Sequence, residues 1–296
     1  MHRRARRRAR RLAKLESAER SLPISFAIVG VQKAATTTLF RMLSAHPDVE
    51  GGPDKEMRFF IQEHDWSNPP YDTYRRPVIR GGRIAGDATP AYLFWPSALR
   101  RMRDYRPEMR LMAVFRDPIE RSFSQWAMER TRHPGFPDLP HAIAEYADEP
   151  LPPTDVGTPT PRDLQRALFA RSLYGGQLER ALALFPEEQW RMFEFRAFLQ
   201  DPHRHLDLAT DLLSIPRFTE YPDETQRMAT PDSNTGAAPS VADVERLVQR
   251  YADDLALFEP LSHVDTSGWP TRQVIDGSLS VSDLHQRLCD KLGLGG

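Results

Sequence analysis

Lys33 is the residue in the first part of the chain best placed to do chemistry. It follows an apolar run rich in β-branched residues, Phe26 to Val31, and precedes three threonines, Thr36 to Thr38, that open a helical pattern. That order predicts a buried strand, a tight turn and a helix. Such a turn directs backbone N–H groups and the positive end of the helix to one point, and Lys33 adds a mobile positive charge there. The segment predicts an anion site, and a purely structural strand, turn and helix is the alternative.

Glu56 is a second candidate because of its neighbours. It stands between Lys55 and Arg58 and is followed by Phe59 and Phe60. If the two phenylalanines anchor this segment in the core, the carboxylate of Glu56 is held rigidly and could act as a general base. The alternative is an ordinary surface ion pair with Lys55 or Arg58.

Arg116 and Ser124 form a third candidate pair. Arg110 to Phe115 reads as a buried strand, and Asp117 and Pro118 are typical of the first positions of a helix. Arg116 is therefore expected at the carboxyl end of a strand, where open α/β sheets bind ligands. Ser124 lies two turns into the helix and could share an anion with Arg116. A capping arginine and a solvent-facing serine are the structural alternatives.

The length and composition of the chain are typical of one large domain, which would position these candidate residues. The chain has 296 residues, of which 40% are hydrophobic, so a sizeable core is available. The net charge of -1 is divided unevenly. An arginine-rich arm at residues 1–22 is positive, and residues 23–296 are acidic. The arm could contact nucleic acid, an acidic partner or an anionic membrane, and we interpret it as a solvated tail or a frayed helix.

The apolar runs, the single cysteine and the prolines narrow the class of protein further. We find neither a secretory signal nor an apolar run of the ~20 residues that a bilayer span needs. Cys289 is the single cysteine, which excludes an intramolecular disulfide and fits a reducing, cytoplasmic compartment. Residues 134–161 hold eight prolines and predict a long loop, of the kind that forms lids or acceptor walls. Residues 218–240 predict a second long loop, in which Arg227 is the single basic residue.

The sequence contains four motifs whose order and relative spacing are informative: GVQKAATTTLF, DKEMRFF, GDATPAY and VFRDPIERSFSQW. Together they resemble the sulfotransferases that use 3′-phosphoadenosine-5′-phosphosulfate (PAPS), particularly the branch that holds heparan-sulfate sulfotransferases and bacterial homologues. The similarity extends from about residue 26 to about residue 215. It implies an α/β fold, with a P-loop-like core, a central parallel sheet flanked by helices, and a single domain with long loop insertions.

The resemblance also implies a reaction. A sulfuryl group would pass from PAPS to a hydroxyl or amine of a small-molecule or carbohydrate acceptor, leaving adenosine 3′,5′-bisphosphate (PAP). The scheme requires no metal. The enzyme would be a bacterial cytoplasmic one without a membrane span or a nucleic-acid partner, and no oligomeric state is predicted.

Site residues follow from the same resemblance. Lys33 would stabilise the bridging oxygen as charge develops on the leaving PAP. Arg116 and Ser124 would hold the 3′-phosphate, Glu56 would take the proton of the acceptor, and Arg227 would lie in the loop that covers the nucleotide. The 5′-phosphosulfate would be cradled by Gln32, Lys33, Ala34, Ala35, Thr36, Thr37 and Thr38.

The chain departs from the family pattern at several positions. Ala34 and Ala35 replace the usual two glycines, and because alanine disfavours positive φ we expect ordinary dihedrals in this turn. Ala88 and Arg58 stand where heparan-sulfate members have lysine- or histidine-bearing segments, which argues against a heparan-like acceptor.

Two other functions were considered. A small-molecule kinase would share the strand, loop and helix, but it needs lysine directly before the hydroxyl residue and a carboxylate for Mg²⁺. A nucleic-acid-binding protein would need a basic folded surface to support its arm, whereas residues 23–296 are acidic. We therefore favour the sulfotransferase over both.

Overall fold

The computed structural model describes residues 21–51, 55–62, 66, 75–77, 82–223 and 236–294. The predicted basic arm, apart from its last two residues, and Arg227 lie outside the described residues.

The strands form the sheet on which the candidate site is built. Their spatial order is β2-β4-β1-β5-β6 with all neighbouring pairs parallel, and β3 pairs antiparallel with β1. The predicted central parallel sheet is thus confirmed. Within the described ranges the strands are β1 (Ser21–Gly30), β2 (Val49–Glu50), β3 (Arg75–Pro77), β4 (Ile84–Ala88), β5 (Arg110–Phe115) and β6 (Trp190–Glu194).

The central strands are apolar on both faces. Residues 26–29 of β1 and 111–115 of β5 have no exposed surface. A parallel strand is covered by helices on both sides, so its sequence reads as a continuous apolar run rather than an alternating one. This is why the positions of β1 and β5 were evident from the sequence.

Helices cover the sheet. None of them, in the part of the chain that the structure describes, is long and apolar enough to cross a membrane. Across the same ranges they are α1 (Thr36–Ser44), α2 (Pro96–Tyr105), α3 (Pro118–Arg132), α4 (Leu139–Tyr146), α5 (Pro161–Arg166), α6 (Tyr174–Leu182), α7 (Phe195–Gln200), α8 (Pro202–Leu213), α9 (Val241–Ser262), α10 (Pro270–Ile275) and α11 (Val281–Leu292).

The segment 134–161 is not a loop throughout, as its prolines suggested. It contains α4, which begins after Asp138; the Asp138 carboxylate accepts a hydrogen bond from the backbone nitrogen of His141 at 3.2 Å. Pro140 lies in the first turn, where a missing N–H costs no helical hydrogen bond. The helix is held by a buried face formed by Leu139, Ala142, Ile143 and Tyr146.

The carboxyl ends of the parallel strands meet at one edge of the sheet. Ile28 of β1 pairs with Ala88 of β4, and Gly30 pairs with Ala113 of β5. The segments that follow β1, β4, β5 and β6 therefore begin side by side, as expected for a ligand-binding edge.

Candidate active site

The turn after β1 leads into a helix as predicted, but it does not have the predicted dihedrals. Lys33 has φ 71° and Ala35 has φ 58°, both in the left-handed region. The expectation of ordinary dihedrals is therefore wrong. Ala35 is the N-cap of α1 and makes no side-chain cap hydrogen bond, so no side chain of this cap occupies the first-turn amides. An anion at this helix end would find them available.

Lys33 and Arg116 are brought together by the sheet. The Arg116 guanidinium donates from Nη1 to the backbone oxygen of Lys33 at 3.0 Å. It also lies over the ring of Phe195, with Cζ 4.8 Å from the ring centroid, and only 7% of Arg116 is exposed. The guanidinium is thus fixed beside the loop.

The electrostatic environment of Lys33 is positive. Its pKa lies below the ordinary value of 10.5, because burial and the neighbouring Arg116 and Arg132 disfavour the ammonium, and Glu129 only partly opposes them. A ligand anion would relieve this repulsion. The lowered pKa therefore supports an anion site at the loop.

Ser124 lies in the same region as Arg116. Both line a cavity of about 30 Å³, in which Ser124 is 5% exposed. The Ser124 hydroxyl is buried and has no hydrogen-bond partner among the described residues. A buried orphan hydroxyl is unusual and points to a partner supplied by a ligand. The rest of the wall consists of Glu120, Phe123, Leu288, Lys291 and Leu292.

Three cations surround the one carboxylate of this cavity wall. Glu120 is 3.4 Å from Nε of Arg116, 3.1 Å from Nη2 of Arg196 and 3.2 Å from Nζ of Lys291. Burial favours the neutral acid of Glu120, but the three cations outweigh it and lower the pKa. With Glu120 ionised, the group keeps an excess of positive charge. Lys291 comes from α11, which the sequence did not connect with this site.

Glu56 lies at the end of the neighbouring strand. Its backbone nitrogen donates to the Ala88 oxygen at 3.1 Å, and Phe60 is fully buried, so the segment is anchored by Phe60, whereas Phe59 is only partly buried. The carboxylate itself is open to solvent, with 47% of the side chain exposed, and it pairs with Nζ of Lys55 at 2.8 Å. The ion pair that we considered as an alternative is therefore present.

A buried network holds this strand end in place. Asp87 accepts hydrogen bonds from the backbone nitrogen of Ala88 at 2.8 Å and from the Tyr92 hydroxyl at 2.8 Å. The Thr89 hydroxyl donates to Asp87 at 3.2 Å and accepts from the backbone nitrogen of Arg58 at 3.3 Å. The network connects β4 to the segment that carries Glu56, a connection that the motif GDATPAY did not reveal.

Arg171 is a site residue that sequence reasoning missed. It is 8% exposed, and its Nη1 donates to Oε1 of Gln32 at 2.7 Å. Its Cζ lies 5.5 Å from the ring centroid of Phe94. Burial, together with Arg121, lowers the pKa of Arg171 to about 10. The signal in the sequence was a single arginine inside the otherwise apolar run ALFARSLY.

The other predicted residues have less distinctive positions. Ala34 and Thr36 are buried, and Thr37 and Thr38 are half-buried in the first turn of α1. Arg227 is outside the described residues. Within the described ranges, no three histidine, cysteine or acidic side chains are grouped to hold a metal ion.

The fold defines the class of the protein: an α/β protein in which a strand, loop and helix lie beside Lys33 and Arg116 at the carboxyl edge of a parallel sheet. No family model matches the chain. Heparan sulfate glucosamine 3-O-sulfotransferase 6 of Mus musculus is 27% identical over 190 residues, covering 64% of this chain and 52% of that protein. Heparan sulfate glucosamine 3-O-sulfotransferase 3A1 of Homo sapiens is 26% identical over 203 residues, covering 69% and 47% respectively.

One solved structure gives the same result. A sulfotransferase from Alicyclobacillus acidocaldarius superposes with a TM-score of 0.65 at 26% identity, covering 84% of this chain and 99% of that one. The chain spans about half the length of the curated relatives it matches. It is related to the sulfotransferases in sequence and shares their fold, which confirms the resemblance found in the motifs.

Proposed function

We propose that the chain is a PAPS-dependent sulfotransferase that transfers a sulfuryl group to a hydroxyl or amine. The observation that carries the proposal is the pairing of Arg116 with the Lys33 loop, beside the orphan hydroxyl of Ser124. PAPS carries a 5′-phosphosulfate and a 3′-phosphate on one ribose. The Lys33 loop would bind the first, and Arg116 with Ser124 would bind the second. The sulfotransferase relatives support the reaction type.

The donor site divides between two groups of residues. The loop from Gln32 to Thr38 would hold the 5′-phosphosulfate through its backbone N–H groups and the ammonium of Lys33. Arg116 and Ser124 would hold the 3′-phosphate, since a guanidinium fork and a hydroxyl together supply donors for a phosphate. Lys291 lines the same cavity and would add a further positive charge.

The proposed chemistry needs charge stabilisation and one proton transfer. Lys33 would stabilise the negative charge that develops on the leaving bridging oxygen. Glu56, as an ionised carboxylate, would accept the proton of the attacking hydroxyl or amine. Its exposure leaves room for an acceptor, and its bond to Lys55 holds the carboxylate in one orientation.

A larger cavity could receive the acceptor. It has a volume of about 300 Å³, and Phe94, the ring beneath Arg171, forms part of its wall. Leu151, Pro153 and Val156 also line it and come from the segment 134–161, for which we predict a lid or an acceptor wall. The volume suits a small molecule or a sugar unit. We also propose that residues 23–296 form one domain. The predicted nucleotide-covering loop, 218–240, lies largely outside the described residues, since the structure does not describe 224–235.

Transfer of radiolabelled sulfate tests the function directly. The full chain would be incubated with ³⁵S-labelled PAPS and separate pools of phenols, sugar alcohols and amines, with and without millimolar EDTA. We expect a labelled product from one pool and no effect of EDTA. A parallel incubation would contain ³²P-labelled ATP in place of PAPS; a labelled product there, lost with EDTA, would support a kinase instead.

A further inference from the structure

Arg171 is a buried cation to which the proposed function assigns no task. Its Nε is buried and has no hydrogen-bond partner among the described residues. Arg121, which is also buried, differs in this respect. Its guanidinium donates to the Ser172 hydroxyl and to Oε1 of Gln125, both at 2.6 Å. Arg121 is thus supplied with acceptors by the fold, whereas Arg171 retains an unused donor.

Arg171 is connected to the donor half of the proposed reaction by a direct hydrogen bond. Its Nη1 donates to Oε1 of Gln32, the residue before Lys33 in the loop proposed to hold the 5′-phosphosulfate. The carboxylates of Glu129 and Glu56 also act electrostatically on the guanidinium, and the effect of Glu129 is the larger of the two. A sulfuryl group held at this loop would lie near the unused Nε of Arg171.

Among the described residues no carboxylate is bonded to Arg171, and burial and Arg121 outweigh Glu129 and Glu56, so the pKa of Arg171 is lowered. The side-chain acceptor bonded to Arg171 is the neutral amide of Gln32, and its other close neighbour is the face of Phe94. Burying a guanidinium without a bonded carboxylate is unfavourable unless another anion compensates. The oxygens of a sulfuryl group would provide that anion.

We propose that Arg171 is a catalytic residue that donates hydrogen bonds to the sulfuryl group during transfer; this rests on the proposed function. The bond from the acceptor oxygen or nitrogen to sulfur forms as the bond from sulfur to the bridging oxygen breaks. The electron pair of the broken bond stays on the 5′-phosphate of PAP, and the acceptor proton goes to Glu56. Arg171 stabilises the charge on the three sulfuryl oxygens throughout.

The test compares two ligands that differ only in the sulfuryl group. Calorimetric titration of the full chain with PAPS and with PAP, without acceptor, gives the two dissociation constants. Arg171→Met should weaken PAPS binding by about tenfold or more, as expected for lost hydrogen bonds to a charged group, and change PAP binding far less. Arg103→Met is the matched control, because Arg103 also lies over a phenylalanine ring and donates to a backbone oxygen, that of Pro107.

The outcomes are distinct. Equal weakening of PAPS and PAP would mean that Arg171 only supports the loop, and no change in either would mean that it does not contact the donor; both results overturn the inference. If the wild-type chain binds neither ligand, the proposed function itself fails. Should Arg171→Met not fold, Arg171→Lys keeps the charge but loses the planar fork, and it should still weaken PAPS more than PAP.

Discussion

The Arg116 guanidinium donates a hydrogen bond to the backbone oxygen of Lys33 at 3.0 Å, across 83 residues of sequence. This bond joins the loop after β1 to the end of β5. It fixes the distance between the site proposed for the 5′-phosphosulfate and that proposed for the 3′-phosphate. The proposed donor site therefore depends on this hydrogen bond.

Ser124→Ala should separate ligand binding from stability. Because the Ser124 hydroxyl has no partner among the described residues, its removal should leave the free energy of unfolding unchanged or slightly raised. Affinity for PAP should fall by about 1 kcal/mol, or roughly fivefold. Thermal melts and calorimetry measure the two quantities.

Ser122→Ala is the matched control for that change. The Ser122 hydroxyl is also buried on α3, but it donates to the Ile119 oxygen at 2.9 Å and lies outside the cavity. The Ser122→Ala variant should have a lower free energy of unfolding and an unchanged affinity for PAP. Unchanged PAP affinity in Ser124→Ala would remove Ser124 from the proposed 3′-phosphate site.

The lowered pKa of Lys33 predicts how PAP binding depends on pH. The ammonium form binds the anion, so affinity should decline as the pH rises through a value below the ordinary 10.5. The stability of the free protein should change in the opposite direction. Its native state holds the Lys33 proton less tightly than the unfolded chain, so this residue adds stability as the pH rises through the lowered pKa.

Lys33→Arg provides the comparison, because arginine stays charged over the whole range. PAP titrations from pH 7 to 10 should show a steeper decline for the wild-type chain than for this variant. Parallel curves would show that Lys33 is not the titrating group.

Glu56→Gln should abolish turnover while leaving the donor site intact. Loss of a general base lowers the rate by about 10²–10⁴-fold. PAP affinity should stay the same. Glu56 lies beside the carboxyl end of β4 and not in the loop from Gln32 to Thr38 that is proposed to hold the 5′-phosphosulfate. The rate is measured as PAP formed from PAPS with an acceptor that the wild-type chain sulfates. An unaltered rate would exclude Glu56 as the base and leave its ion pair with Lys55 as a surface feature.

Ala35→Gly should stabilise the protein. Ala35 adopts φ 58°, a conformation that costs an L-residue about 1–2 kcal/mol and glycine almost nothing. After the greater chain entropy of glycine is counted, we expect a net gain of about 0.5–1 kcal/mol in the free energy of unfolding. Denaturant titration measures it.

Ala34→Gly is the control at the adjacent position. Ala34 is buried and does not have a positive φ, so the same substitution there should destabilise the fold. A loss of stability in both variants would contradict the assignment of strain to Ala35.

The sequence predicted the sheet edge well because the signals there are local. Apolar runs marked β1 and β5, and Asp117 followed by Pro118 marked the start of α3, where the Asp117 carboxylate accepts from the Glu120 nitrogen at 2.9 Å. These features depend on residues a few positions apart, so periodicity and capping rules were sufficient.

Other parts of the site depend on tertiary contacts, or on backbone conformations that the local residue preferences disfavour. Lys291 reaches the Arg116 cavity from the last helix, and the partners of Arg171 lie far away in sequence. Ala35 adopts a conformation that its own propensity disfavours. The helix α4 was hidden because its Pro140 is acceptable in a first turn but also marks loops. None of these could be obtained from spacing alone.

Titration with PAP beside adenosine 5′-phosphate measures whether the proposed donor site recognises the 3′-phosphate. The two ligands differ in the 3′-phosphate, so Arg116 should distinguish them. The wild-type chain should bind PAP in the absence of metal and prefer it clearly over adenosine 5′-phosphate, and Arg116→Ala should remove most of that preference. Equal affinity of the wild-type chain for both ligands, or no binding of PAP, would contradict the donor site described here.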